Sequence, residues 1–184
     1  MELILIILVL LVLVFGVIEY KVHLKSLSKI PVRIHVNGSR GKSSVVRLIA
    51  SGLRAGGLKT VAKTTGTSPR IIDENGKDKY IHRLRSASIG EQISLIRRFS
   101  KINPDALVIE CMAVNPQYQW ISEHKIVKST IGVMTNVRPD HLDEMGISIE
   151  QITKSMGNTI PFNGIMVTSE DKQIKLLENI LNLK

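Results

Sequence analysis

The six residues Gly38-Ser39-Arg40-Gly41-Lys42-Ser43 stand between a short apolar run, VRIHV, and the stretch Lys42 to Ala55. In that stretch Val45, Val46, Leu48, Ile49 and Leu53 recur at helical spacing, and Gly56-Gly57 supplies a stop. A glycine turn that joins a strand to a helix constrains the fold strongly. The glycines let backbone N–H groups face phosphate oxygens, and the helix N-terminus adds partial positive charge. Lys42 is placed to reach β- and γ-phosphates, and Ser43, followed by Ser44, offers a hydroxyl to Mg²⁺. The segment therefore predicts a loop for ATP or GTP. It departs from the commonest form of the motif, which would put a first glycine where Val36 stands. The competing reading is an ordinary strand-to-helix turn with an exposed lysine.

The rest of the chain alternates in the same way. Lys59 to Thr64 and Ala106 to Cys111 have strand composition, as do Thr130 to Val137 and Gly164 to Thr168. Between and after them come helical patterns over Ile89 to Ile102, Pro116 to about His124, Ile149 to Thr159 and Lys172 to Leu181. Residues 65–88 are polar and irregular. They read as a long functional loop containing two extended pieces, Arg70 to Ile72 and Lys79 to Leu84, around an Asn75-Gly76 turn. The fold class that follows is α/β, a parallel sheet covered by helices on both faces.

Ahead of this body, Leu3 to Ile18 contains no charged or polar side chain. As a helix it would cover about 24 Å, and Tyr20 with the stems of Lys21 and Lys25 would complete a membrane span. A cleaved signal peptide fits less well. Glu2 stands where a basic segment belongs, and Glu19-Tyr20-Lys21 replace a small-residue cleavage site. The expected organisation is a transmembrane anchor at 1–20, a basic linker at 21–30 and the α/β body at 31–184. Lys21, Lys25, Lys29 and Arg33 after the apolar run place that body on the cytoplasmic side.

Charge adds one constraint. Between Tyr20 and Ile72 there are eleven Lys or Arg residues and no acid, out of a formal net charge of +9. An anion is expected there, whether lipid headgroup, nucleotide phosphate, polyanionic substrate or nucleic acid. No nucleic-acid recognition motif accompanies the block and aromatics are only 4% of residues, so nucleic acid is not expected as a partner. The single cysteine, Cys111, excludes an intrachain disulfide and reads as a packed thiol; His35, Tyr118 and Trp120 read as structural.

Ligands of an open parallel sheet gather at the carboxyl ends of its strands. Glu110 closes the run ALVIE, where a carboxylate is costly unless it meets a cation such as Mg²⁺. Asn136 ends the next strand and leads into Asp140-His141-Leu142-Asp143, a cluster of potential Mg²⁺ ligands and phosphate-orienting groups. The hydroxyls of the loop from Thr64 to Pro69 also lie on this edge. Each of these has a plain reading as loop or turn residues; their shared position favours a common site.

In this order, PVRIHVNGSRGKSS, KTTGT, IGEQ, ECMAVNP, IGVMTNVRPDHLDEMG and IPFNG resemble the Mur ligase superfamily, and within it the ligase subunit of bacterial poly-γ-glutamate synthases. The likeness runs to about Ser169. It implies a Mur-type central domain, incomplete in 184 residues. By this resemblance Lys42 holds ATP phosphates, Ser43 and Glu110 a first Mg²⁺, and His141, with Ser68, a second. The implied reaction joins glutamate to a poly-γ-glutamate chain through an acyl phosphate. Further membrane subunits are the implied partners; for the missing length a fragment, a truncated gene and a separate C-terminal half are all open. Many superfamily members carry a lysine about fifteen residues past the motif histidine; here Met156 stands there, and no modified lysine is assigned. Two rival readings are a membrane-tethered nucleotide-binding scaffold and a ligase with a cell-wall or folate acceptor.

Overall fold

The computed structural model describes residues 2–66, 68–82 and 88–183. Five parallel strands form the centre of a mixed sheet: β1 (Val32–Asn37), β2 (Thr60–Thr64), β5 (Ala106–Glu110), β6 (Ile131–Met134) and β7 (Ile165–Thr168). The hairpin β3 (Arg70–Ile72) and β4 (Asp78–Tyr80) adds two antiparallel strands at one edge, giving the order β4-β3-β2-β5-β1-β6-β7. The two extended pieces expected within residues 65–88 are thus sheet strands, the first with the expected bounds. The second begins one residue earlier than expected, and Arg83 and Leu84 of the predicted extended piece lie outside the described residues.

Alternation along the strands divides the core. Ile34 and Val36 of β1, Ala62 of β2 and Val108 of β5 pack under Val46 and Ala50 of α2 (Lys42–Ala55). On the opposite face Val61, Leu107 and Ile109 meet Leu95, Ile96 and Phe99 of α3 (Gly90–Ser100). At the far edge Met134 packs with Ile152 and Met156 of α6 (Ile149–Met156) and Leu177 of α7 (Ile174–Asn182). Fully burying one such side chain contributes about 1.5–3 kcal/mol, so these clusters are what orders the sheet.

Local signals start and stop the helices. Asn115 accepts a bond from Gln117 N at the start of α4 (Pro116–Ile121), with Pro116 in the first turn. Ser148 and Gln151 form a reciprocal capping box on α6. Two elements escaped the sequence reading. The helix after Pro116 passes into a π-helical turn, Ser122–Val127, and the expected loop RPDHLD contains a short helix, α5 (Leu142–Met145).

The N-terminal helix α1 runs from Glu2 to Leu27, beyond the expected anchor boundary near residue 20. Much of the segment read as a linker is helical, and its last turns are seated on the body. His23, Ser26 and Leu27 are buried, His23 Nε2 lies 2.8 Å from Ile126 O, and Glu19 pairs with Arg97 of α3. From Leu3 to Ile18 the large apolar side chains are exposed, and the helix is long and apolar enough to cross a membrane.

The basic block is dispersed by folding. Arg47 makes a two-pronged pair with Asp78, Lys63 is buried against Glu91, and Arg54 donates to Thr60 O. Much of that charge is therefore bound within the chain.

Candidate nucleotide site

Strand β1 ends on Asn37, and the chain then turns sharply. Gly38 has φ 134°, and a Cβ there would lie 2.1 Å from Thr135 Oγ1 and 3.0 Å from Asn136 O. Gly41, just before α2, has φ 81° but open space around it. Both positions suit glycine, for different reasons. Gly38→Ala should therefore lower the thermal midpoint more than Gly41→Ala, since it adds overpacking of about 1–3 kcal/mol to the backbone strain both share. Equal midpoints in the two variants would show that the end of β6 does not clamp the loop.

Neighbouring strand ends hold this loop from both sides. Asn136 Oδ1 accepts from Arg40 N at 3.2 Å, and Asn136 Nδ2 and Thr135 Oγ1 donate to Arg40 O at 3.0 and 2.7 Å. Ser39 Oγ both donates to Arg138 O and accepts from Arg138 N, at 2.9 Å each. Beneath the turn, buried Asn37 caps Gly38 N at 2.8 Å and donates to Gln119 Oε1 and Thr159 Oγ1, both at 3.1 Å. Asn37 and Gln119 are positioning residues that the sequence reading missed. Their one signal was a polar side chain amid otherwise buried patterns.

The loop opens on a cavity of about 290 Å³. Gly38, Ser39 and Lys42 line it together with Glu110 from β5, Thr65 and Gly66 after β2, and Asp140 and His141 after β6. Four strand ends thus converge, as expected of a parallel sheet. Lys42 Nζ donates to Gly38 O at 2.7 Å and so lies on the loop itself. Ser43 Oγ donates to Glu110 Oε2 at 2.7 Å, and Thr65 N donates to the same oxygen at 2.8 Å. Met112, Val114, Met145 and Met156 give the remaining wall an apolar character.

The other predicted residues separate. Asn136 braces the loop from behind rather than lining the cavity. Arg40 is exposed, with its guanidinium 3.6 Å from Asp140. Ser44 faces outward on α2, and Ser68 is exposed and away from the cavity, although Thr65 and Gly66 of the same loop reach it. Thr67 lies outside the described residues. His141 sits at a left-handed backbone position, φ 47°, its ring 3.9 Å from Asp140.

Among the described residues no three His, Cys, Asp or Glu side chains converge on one point. Mg²⁺ is commonly held by one carboxylate, a hydroxyl and substrate phosphates rather than by an all-protein cage. Buried Glu110, bonded to Ser43, supplies such a pair.

Behind the site, His35 Nδ1 lies 2.7 Å from Glu123 Oε2, with both side chains buried. Burial alone would lower the His35 pKa, but the adjoining Cys111 and the Glu123 carboxylate outweigh it and raise it to about 10. Burial likewise opposes ionisation of Glu123, and the bonds from His35 and Ser129 bring its pKa below the usual value. His35 is thus structural, as read from the sequence, and Cys111 is buried. Trp120 and Tyr118, both expected to pack, are exposed, although the Trp120 ring centroid lies 5.1 Å from that of His124.

Comparison with known proteins agrees with this geometry. Residues 36–182 match the Mur ligase middle domain. The capsule biosynthesis protein CapB of Bacillus anthracis is 38% identical over 172 residues, 91% of this chain and 37% of that protein. PGA synthase CapB of Bacillus subtilis (strain 168) is 41% identical over 163 residues, 88% of this chain and 42% of its own length. The chain thus spans about two fifths of these curated relatives. Among solved structures, E. coli FolC in complex with DHPP and ADP superposes with a TM-score of 0.66 at 17% identity, covering 90% of this chain and 44% of FolC. A bifunctional folylpolyglutamate synthase/dihydrofolate synthase with Mn, AMPPNP and L-glutamate bound gives 0.64 at 18%, covering 90% and 45%. On this match over residues 36–182, the chain belongs to the Mur ligase family by its middle domain.

Proposed function

We propose that this chain is the membrane-anchored, ATP-binding part of a ligase that extends poly-γ-glutamate by forming amide bonds with glutamate. The observation that carries the reading is the cavity where Lys42, the Ser43–Glu110 pair and the Asp140-His141 turn meet. The relatives named for capsule biosynthesis and PGA synthesis support the polymer, and the neighbour solved with AMPPNP and L-glutamate supports the substrates.

In this reading the backbone N–H groups of 38–43 and the N-terminus of α2 receive the ATP phosphates, and Lys42 Nζ leaves Gly38 O to meet the β- and γ-oxygens. Ser43 and Glu110 would hold Mg²⁺, and His141 would take part in holding a second ion. Held there, the ion would supply positive charge to offset what develops on the transferring phosphoryl group. The terminal carboxylate of the polymer attacks the γ-phosphorus and releases ADP. The amine of glutamate then attacks the acyl phosphate, so the C–N bond forms as phosphate leaves and the amine gives up a proton. The chain's contribution is to hold the phosphates fixed while charge shifts across them. Its exposed α1 anchors the body on the cytoplasmic face, where further membrane subunits and a C-terminal part would join it.

The test is glutamate-dependent phosphate release from ATP in membranes carrying the chain together with the remainder of the relatives' length. Expected is release that needs glutamate and polyglutamate, and that falls by about 10²-fold in Glu110→Ala. Mg²⁺-dependent ATP binding without any glutamate-dependent turnover would replace the ligase reading with the nucleotide-binding scaffold.

A further inference from the structure

Where α1 joins the body it forms one wall of a second cavity, of about 460 Å³. That volume is in the roughly 300–1,000 Å³ range that takes a small organic ligand. Its apolar surface comes from Ile89 and Ile93 at α3, from Ile121 at the end of α4 and from Ile126 in the π-helical turn. Its polar groups are Glu19, Tyr20, His23, Arg97 and Lys125.

Glu19 is the acid among these residues, and its carboxylate is taken by Arg97, through Nη1 at 3.2 Å and through Nη2. Lys125 is exposed, with Nζ 5.2 Å from the Trp120 ring centroid, and Lys128 stands over the Tyr20 ring at 5.7 Å. The balance is cationic. Two further nitrogens are buried without a partner, Nδ1 of His23 and Nε of Arg97. His23 is 4% exposed, and its Nε2 faces Ile126 O at 2.8 Å, so Nε2 carries the proton and Nδ1 is an unused acceptor.

The cavity's position identifies the occupant. Its wall begins at Glu19, immediately after the exposed apolar run that ends at Ile18. If α1 spans a bilayer, the cavity lies at headgroup level, its isoleucines toward acyl chains and its cations among phosphates. We propose that this cavity binds one anionic phospholipid, with a chain segment against the four isoleucines, the phosphate between Lys125 and Arg97, and a headgroup hydroxyl donating to His23 Nδ1. The lipid would fix the tilt of the body on the membrane, where α1 alone leaves a single helical tether. The proposal rests on the membrane reading of α1.

The experiment is native mass spectrometry of the full chain released from nanodiscs of mixed phosphatidylglycerol and phosphatidylcholine. One phosphatidylglycerol per chain should be retained in preference to phosphatidylcholine. Lys125→Gln, at an exposed position that cannot unfold the core, should cut that preference roughly fivefold. Ile93→Trp should fill the cavity and remove the bound lipid in a chain that still melts cooperatively. Equal retention of the two lipids, a preference untouched by Lys125→Gln, or a co-purifying polypeptide in place of lipid would overturn the proposal. Retention in carbonate-washed membranes separates the two readings. A chain washed out of them has lost its anchor, whereas one that stays without lipid preference has lost only this site.

Discussion

Lys42→Ala should reduce glutamate-dependent phosphate release by about 10²–10³-fold while leaving the thermal midpoint nearly unchanged. Both halves follow from what the side chain touches. Among the described residues its Nζ bonds only carbonyls of its own loop, Gly38 O at 2.7 Å and Ser39 O at 3.5 Å, so truncation removes no hydrogen bond to the core. Surface substitutions of that kind usually fall within about 0.5 kcal/mol of the parent in stability. The catalytic loss is larger because a fixed cation acts on charge that grows during phosphoryl transfer, and removing one such donor costs about 2.7–4 kcal/mol. Lys42→Arg should restore little, since a planar fork does not reproduce a compact point charge inside a tight loop. Parallel measurement of phosphate release and melting checks both halves. A loss smaller than tenfold would remove Lys42 from the phosphate role, and a large fall in midpoint would make it a structural residue.

The parts of this molecule that the sequence displayed are those encoded locally. A loop flanked by VRIHV and an amphipathic helix declares its own surroundings, and the sheet's parallel centre follows from alternation. Because strand ends share an edge, Glu110, Asp140 and His141 could be assigned to the loop's neighbourhood before any contact was known. What stayed hidden depends on partners far away in sequence. Asn37 meets Gln119 across 82 residues, His35 meets Glu123 across 88, and Arg97 meets Glu19 across 78. No periodicity announces such pairs. The β3–β4 hairpin was legible as two extended pieces around a turn, β3 with its bounds; β4 was the fainter of the two, since Asp78, Lys79 and Tyr80 are all exposed and show no buried face. Ser68, three residues beyond Thr65 in the chain, is not among the residues that line the cavity.

The buried His35–Glu123 pair carries the second large effect, and its reach is the whole domain. Glu123→Ala should destabilise the fold by about 3–5 kcal/mol, because it removes the carboxylate that a buried histidine is paired with. Ser129 also loses its acceptor, as its N and Oγ both donate to Glu123 Oε1 at 2.8 Å. Since His35 lies in β1 two residues before Asn37, loosening it should disturb the strand that aims the phosphate loop. The pH dependence has a definite sign. The His35 pKa is raised in the fold, so its contribution is complete below the unfolded value of 6.5 and is lost as pH climbs through about 10. The Glu123 pKa is lowered, so its contribution is complete above 4.5 and is lost as pH falls through the depressed value. Chemical unfolding followed from pH 5 to 10 should therefore show the gap between wild type and Glu123→Gln widest near pH 5–6.5 and narrowing toward pH 10. A gap that stays constant over that range would mean that His35 is neutral when folded, and that the pair is held by an ordinary hydrogen bond instead of by opposite charges.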